Sequence, residues 1–513
     1  MNNLKISKEY KRIEIDLAKK IIFEMENIPS LIENNIFVWG FLLYDKNIID
    51  YFNIEDKLNH LKGHFFGVII NNDSITIFND ITAGFRVYVY EDENLLFYSD
   101  NYRIILKNIL KNHIEFDEYE LSFWKEHRFT TGSRTFIRYL NKVPPASIIK
   151  INKSKILNTC YFKDYDNDPD RKALLCTIRY DLEETMKLLK DKYNKFILFF
   201  SGGYDSALLA VILKSLYIDF DAIFIKTNPI YKENYSDYIN ALRISNLLKL
   251  NLNILEISLD KNNLEMNKLI LDDLLFDRHF ALLFYYTFKL LSKKYPKDVL
   301  LLFGQSADSV FSFGPTGDNL GGIIRRILIN YPFCPLNIIF KEVLSKRIKK
   351  NFICPRNMEE YFLAFFDEKE YIPLLREDSY KRKIYLTSII NQIKRENALS
   401  SLMYLKLFGF LQGSDNQVIY KAANAFGFKN VFLPYAQPSI IYAICKYKSK
   451  FIDTFIPKYP VKNLLKYYLP NVKIKKINYK MEKEYPEIKI YEKQVEMLFI
   501  NYLDKIRSNQ NGE

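Results

Sequence analysis

Lys195-Phe-Ile-Leu-Phe-Phe-Ser-Gly-Gly-Tyr-Asp-Ser206 is the stretch on which the fold turns. Phe196 to Phe200 reads as a buried strand, and Ala207 to Leu213 opens an apolar helix. Ser201 to Ser206 therefore forms a loop at the carboxyl end of a strand. Its two glycines let the backbone fold tightly, so that several N–H groups point at one anion. The helix N-terminus beneath adds partial positive charge. Ser201 and Ser206 offer hydroxyl donors. Asp205 would repel a bare phosphate, but it makes sense if it holds Mg2+ on a pyrophosphate. No Gly-x-x-x-x-Gly-Lys-Ser/Thr pattern surrounds the loop. A plain Ser/Gly turn would explain the glycines and leave Asp205 without a reason.

Working outward, the chain changes character near residue 165. Before it, short apolar or alternating runs recur at Phe37–Leu43, Phe65–Asn71, Ser74–Asn79, Phe85–Tyr90, Leu95–Tyr98 and Ser147–Ile151, with turn residues between them. Helical patches fall at about 101–111 and 117–126. This part predicts an α+β unit over 1–165. From about 170, helices (170–191, 206–216, 235–248, 279–294) alternate with strands (195–200, 221–226, 253–258, 298–303). That alternation predicts a parallel sheet with helices on its faces, and ligands outside the carboxyl ends of the strands. Beyond about 320 the pattern is mainly helical, and the second unit is taken as 170–513. The polar segment Lys163–Asp170 is the expected boundary.

Length alone, at 513 residues, predicts two to four domains. The net charge of +13 would suit an anionic partner, but its lysines lie in short clusters (Lys293-Lys294, Lys346–Lys350, Lys473–Lys476) rather than one arm, as on a solvated surface. Five widely spaced cysteines with no C-x-x-C pair argue against a disulfide framework or a zinc ribbon. His60 and His64 stand four apart without the Glu of a zinc helix and read as surface or loop histidines. No apolar run reaches 18 residues and the N-terminus lacks the order of a signal peptide, so a cytoplasmic protein without a membrane span is expected.

Ser201-Gly-Gly-Tyr-Asp-Ser206 resembles the SGGxDS loop of the ATP pyrophosphatases, which cleave ATP between the α and β phosphates. Leu302-Phe-Gly-Gln-Ser-Ala-Asp-Ser-Val-Phe311 resembles a second loop, Ser-Gly-Glu-Gly-Ala-Asp-Glu-Leu-Phe, and Lys462-Asn-Leu-Leu-Lys-Tyr-Tyr-Leu-Pro470 is similar to a Lys-x-x-Leu-Arg…Leu-Pro segment. In the first unit, Gly63–Ile70, Asn79–Tyr90 and Leu140–Ile148 (with Pro144-Pro145) resemble the Gly-x-Phe strand, the Arg-Asp-x-x-Gly-x-x-Pro-Leu-Tyr-Tyr segment and the Pro-Gly turn of the same family. In this order they resemble the asparagine synthetase family over nearly the whole chain. The resemblance implies an Ntn-hydrolase-like α+β sandwich followed by an ATP pyrophosphatase (adenine nucleotide α hydrolase-like) domain with a helical C-terminal part. It implies ATP and Mg2+ as cofactors, with Ser201, Gly202, Gly203, Asp205, Ser206, Gly304 and Gln305 on the nucleotide, and Asp205 and Asp308 on the metal. Lys462 would supply a mobile charge that stabilises the anion developing as an acyl-adenylate forms and is attacked.

Three departures qualify the resemblance. Glutamine-hydrolysing members use an N-terminal cysteine, whereas Asn2 and Asn3 follow Met1 and the first cysteine is Cys160, so an inactive glutaminase scaffold is expected, as in β-lactam synthetases. A separate ammonia source or another amine is then needed. Gln305 replaces the second loop's glutamate and cannot act as a general base. Pro434-Tyr-Ala-Gln437 stands where Pro-Phe-Leu-Asp is frequent, which puts a free-aspartate pocket in doubt. The expected activity is AMP-forming amide synthesis on a small-molecule or peptide carboxylate, such as a sugar uronic acid or a lactam precursor. Tyr435, Asp415 and Glu233 neighbour these segments as proton acceptors without a ranking. A tRNA-modifying ATP pyrophosphatase and a catalytically degenerate binding protein are the rivals. Nucleic acid is not favoured as a partner, because the loop is preceded by some 170 residues of glutaminase-like β structure rather than lying near the N-terminus.

Overall fold

The computed structural model describes most of residues 4–43, 54–108, 115–121, 133–162, 170–258, 282–311, 415–447 and 453–474, with isolated positions such as 403, 406 and 407 between them. The first part holds β1 (Leu4–Ile6), β2 (Arg12–Asp16), β3 (Lys20–Glu24), β4 (Leu31–Glu33) and β5 (Ile36–Leu43). The short helix α1 (Ile54–Lys57) follows, then β6 (Lys62–Ile70), β7 (Ser74–Asn79), β8 (Tyr88–Glu91), β9 (Leu95–Ser99), helix α2 (Tyr102–Asn108), β10 (Leu140–Lys142), β11 (Ser147–Asn152) and β12 (Ile156–Cys160). One sheet runs β1-β2-β3-β9-β8-β10 and the other β12-β11-β7-β6-β5-β4. All their pairings are antiparallel except β3 with β9.

The two sheets stack face to face. Ile13, Ile21 and Phe23 of the first share a core with Phe37, Trp39, Phe66, Val68 and Ile77 of the second. Alternation then sends Val38, Phe65 and Ile69 to the opposite face of the second sheet, where helices cover them. Both faces of β5 and β6 are therefore buried. That explains their near-continuous apolar sequence.

The second part begins with α3 (Arg171–Lys192), capped by Asp170, whose side chain accepts from Lys172 N at 2.8 Å. Its buried stripe, Leu174, Ile178, Leu182, Met186 and Leu189, repeats every three to four residues. Lys62 Nζ ties β6 to this helix through Asp181 and Thr185, each at 2.5 Å. The chain continues through β13 (Phe196–Phe199), α4 (Tyr204–Ser215), β14 (Phe220–Asn228), α5 (Lys232–Leu248), β15 (Leu252–Ser258), α6 (Leu282–Lys294), β16 (Leu300–Phe303) and α7 (Ala307–Phe311). After the undescribed stretch come α8 (Asp415–Ala425), β17 (Val431–Phe432), a 3-10 turn (Pro434–Ala436), α9 (Pro438–Lys446) and α10 (Tyr459–Tyr468). The strands form one all-parallel sheet in the order β15-β14-β13-β16-β17. Ser206 to Leu213 of α4 is buried throughout, as an apolar helix enclosed on all sides must be.

The alternating pattern from 170 onward appears as expected, within a few residues at each end. The structure adds strands that the sequence pattern did not mark: β1 to β4, β10, β12 and β17. Most are short, and β1, β4 and β12 lie at or near sheet edges with much of their surface exposed. An exposed edge has no need of the apolar run that betrays a buried strand. The helix expected at 117–126 is described only in its first turn, where 118, 120 and 121 are helical; the rest of it, the boundary segment 163–169 and all of 312–402 lie outside the described residues. No disulfide joins Cys160, Cys176 and Cys445 among the described residues; Cys334 and Cys354 fall in the undescribed stretch. Among the described residues no helix is long and apolar enough to cross a membrane.

His64 corrects an expectation. His60 is exposed, but His64 lies in β6, 5% exposed, stacked on Tyr420 of α8 at 3.5 Å between ring centroids and on Phe41 at 5.9 Å. Burial holds its pKa down to about 3 from the ordinary 6.5. Between those values the unfolded chain binds a proton that the folded one refuses. Stability from this ring is therefore complete above pH 6.5 and is lost as the pH falls toward about 3. His64→Phe, which keeps the stacking, should flatten the acid limb. Urea unfolding at pH 6.5 and 4.5 should show the wild type losing about 2 kcal/mol more than the variant.

Candidate active site

The strand order fixes where a site can lie. From β13 the chain builds outward through β14 and β15 on one side, then returns to lay β16 on the other side of β13. The chain leaving β13 therefore goes on to a strand on one side and the chain leaving β16 to a strand on the other, the strand order at which parallel α/β sheets place a ligand crevice, at the carboxyl ends of two central strands. Phe199 pairs with Phe303 in register, their rings stacked at 3.9 Å, so both loops start at one level.

The first loop runs from Ser201 to Ser206. Gly202 adopts φ +72°, and a Cβ there would meet the backbone N of Ala241 at 2.3 Å. Glycine is required twice over, by the left-handed backbone and by the close approach of α5. Gly203 is the N-cap residue of α4, without a side-chain cap of its own. Ser201 Oγ accepts from Gly203 N at 3.3 Å and lies 3.2 Å from Ser206 Oγ. Ser201 is exposed and Ser206 buried. The helix thus opens on a crevice with two hydroxyls and uncapped N–H groups, an arrangement suited to a phosphate.

The second loop lies against the first. A Cβ on Gly304 would stand 3.0 Å from Ser206 N and 3.1 Å from Asp205 Cβ. Gln305 follows, half-buried. Ser306 takes φ +74° and donates from Oγ to Asn416 Oδ1 of α8 at 3.0 Å. Asp308 occupies the first turn of α7, its side chain 56% exposed against 16% for Asp205. Tyr435 OH, fully buried, donates to the carbonyl of Asp205 at 2.8 Å, and burial, then the nearby Asp205, pushes its pKa well above 10. That phenol anchors the loop and holds its own proton.

Asp205 and Asp308, expected to share a metal, come together around a third residue. Lys458 Nζ lies 2.5 Å from Asp205 Oδ2 and also pairs with Asp308 Oδ1. Burial works to lower the pKa of this ammonium, but the attraction of Asp205 and Asp308 outweighs it and holds the value above the ordinary one. Lys458 sits in left-handed backbone (φ 55°) at the N-cap of α10, just ahead of Pro460. Lys462 lies one turn further on, its Nζ 5.3 Å from the centroid of the Tyr204 ring. It flanks the loop at Tyr204. Sequence reasoning missed Lys458. Its signal is the Lys-Tyr-Pro start of a helix four residues before Lys462, which places both lysines on one side of α10.

Two carboxylates are the hard oxygen donors that Mg2+ prefers. The donor set fits in kind, but the space between its inner oxygens is filled by the Lys458 ammonium. Among the described residues no cluster of three or more His, Cys, Asp or Glu could hold a metal. Gln437 is 1% exposed; it accepts from Gly63 N at 2.7 Å and donates to Leu433 O at 2.7 Å, joining β6 to the edge of the parallel sheet. The side chains of Glu233 and Asp415 lie outside the described residues.

No protein-family model matches the chain, and no curated protein matches it. Among solved structures, an NMN synthetase from Francisella tularensis is similar at 12% identity and a TM-score of 0.23, covering 49% of this chain and 97% of its own. An NH3-dependent NAD synthetase from Campylobacter jejuni, in complex with nitrate, is similar at 18% identity and a TM-score of 0.22, covering 45% and 99%. Likeness at this level carries no weight for function.

Gly202→Val should force the backbone of α5 away from the loop. The expected cost is about 2–3 kcal/mol or more in urea unfolding.

Proposed function

We propose that the protein is an ATP-dependent synthetase that adenylates a carboxylate and passes the acyl group to an amine or ammonia. The observation that carries this reading is the meeting of Asp205 and Asp308, from two neighbouring strand ends, beside the open N-terminus of α4. A simple strand-to-helix turn has no use for two convergent acids. The sequence resemblance to the asparagine synthetase family supports the same chemistry. It also supports reading the two-sheet sandwich as an Ntn-hydrolase-like domain over 1–165, joined to an ATP pyrophosphatase domain over 170–513.

In this reading the β and γ phosphates rest on the N–H groups of the first loop and on the hydroxyls of Ser201 and Ser206, where the dipole of α4 favours negative charge. Asp205 and Asp308 would hold Mg2+, which neutralises phosphate charge when bound. A substrate carboxylate oxygen attacks the α-phosphorus. The bond to the bridging oxygen breaks and pyrophosphate leaves. The amine then attacks the acyl carbon, AMP departs with the oxygen that came from the acid, and the amine proton passes to solvent. Adenylation is needed because a bare carboxylate oxygen is a poor leaving group. Gly304 and Gln305, on the opposing loop, face the nucleotide, and Lys462 adds positive charge beside Tyr204. Half-buried Gln305 supplies hydrogen bonds rather than base catalysis.

Pyrophosphate exchange into ATP, screened over small uronic acids and peptide carboxylates, identifies the activated acid. With that acid labelled with oxygen-18 at its carboxylate, one label should appear in AMP. Asp308→Asn should lower exchange by about 100-fold or more. ADP as the sole nucleotide product, or exchange unchanged by Asp308→Asn, would overturn the assignment.

A further inference from the structure

We infer that Lys458 is a resident cation of the acid pair that must be displaced before a divalent metal can bind, so that metal binding depends on a phosphate-bearing ligand arriving with it. The inference rests on reading Asp205 and Asp308 as the acids that face the metal.

Lys458 Nζ touches Asp205 Oδ2 at 2.5 Å and pairs with Asp308 Oδ1. A divalent ion taking the same two oxygens would share their space with an ammonium. Like charges so close, in a crevice partly removed from water, exclude one another. One of the two cations has to leave.

The fixed parts of the crevice identify which group moves. Asp205 is pinned: its carbonyl receives the Tyr435 hydroxyl at 2.8 Å, and Gly304 packs against its Cβ. Asp308 belongs to α7, held through Ser306 and Asn416. The backbone of Lys458 is set by the N-cap of α10. Its four-carbon stem has more rotatable bonds than either carboxylate, so the ammonium can swing while α10 stays in place. Asp308, more than half exposed, leaves an approach from solvent.

The ammonium cannot depart alone. Lys458 is 9% exposed, and stripping it of both acids would leave a buried charge without a partner. A phosphate on the Ser201–Ser206 loop supplies the new partner within reach of the same side chain. Metal and nucleotide together therefore offer each charge a replacement, whereas either one alone leaves a charge stranded. Linkage then requires each to tighten the other by the same factor.

Mn2+ serves as the probe, with free ion read by electron paramagnetic resonance on the full-length protein, with and without α,β-methylene-ATP. Wild type should bind Mn2+ weakly alone and at least tenfold more tightly with the analogue. Lys458→Met should bind Mn2+ alone at least tenfold more tightly than wild type, and a second change, Asp205→Asn, should abolish that gain. Lys458→Arg, which keeps the charge, should stay as weak as wild type, while thermal unfolding reports that each variant is folded. Equal Mn2+ affinity of wild type and a folded Lys458→Met without nucleotide would overturn the inference. So would an analogue that binds wild type and leaves Mn2+ affinity unchanged. Failure of the analogue to bind either protein would overturn the synthetase reading instead, and the nucleotide-free comparison would still decide the role of the lysine.

Discussion

The pairing of β13 with β16 is the constraint on which the site depends. Four hydrophobic residues on each strand lie in register, from Phe196 opposite Leu300 to Phe199 opposite Phe303. That register sets the height of both loops, and the strand order sends the chain from each on to a strand on the opposite side. A slip would separate the two acids by the rise of a strand residue, about 3.3 Å, and end their joint hold on one cation. Register is fixed in turn by burial, since all eight residues are within a few per cent of full enclosure. Apolar packing far from the chemistry thus determines a charge geometry at the surface.

Much of this was legible in the chain. Phe196–Phe200 followed by Ser-Gly-Gly and an apolar helix identifies strand, loop and helix with little ambiguity, because burial on both faces and a tight backbone each leave a strong compositional mark. Asp205 and Asp308 could be singled out because each follows an apolar strand directly. Lys458 could not, since its meaning comes from α10 folding back some 250 residues later onto the first loop. The Lys-Tyr-Pro start of the helix marks its place beside Lys462 but not the two acids that it meets. β17 is similar: two residues, Val431 and Phe432, become a strand only because the edge of β16 offers hydrogen-bonding partners. His64 looked like a surface residue because its neighbours Lys62 and Gly63 are polar or small. The rings that enclose it come from β5 and α8.

Several buried charges among the described residues sit in well-defined partnerships. Arg171 joins Asp453, itself enclosed, and Tyr447 donates to the same carboxylate at 2.6 Å. Asp80 accepts from the backbone N–H groups of Phe65, Thr82 and Gly84 and from the Thr82 hydroxyl, organising the turn that follows β7. Lys458 is paired with two acids. The difference is location: its acids border a crevice open to solvent at Asp308, so their attachment to it can be exchanged.

The second sheet of the sandwich has a wider consequence. Val38, Phe65 and Ile69 lie in one core with Ile178, Leu209 and Leu302 from the other half of the chain. Neither half has a finished exterior of its own. A gene fragment encoding only the later half would yield a polypeptide with a bare greasy wall, prone to clump. Recombination cannot shuffle the two pieces freely, and a front half that had lost every task of its own would still be inherited, kept as cladding.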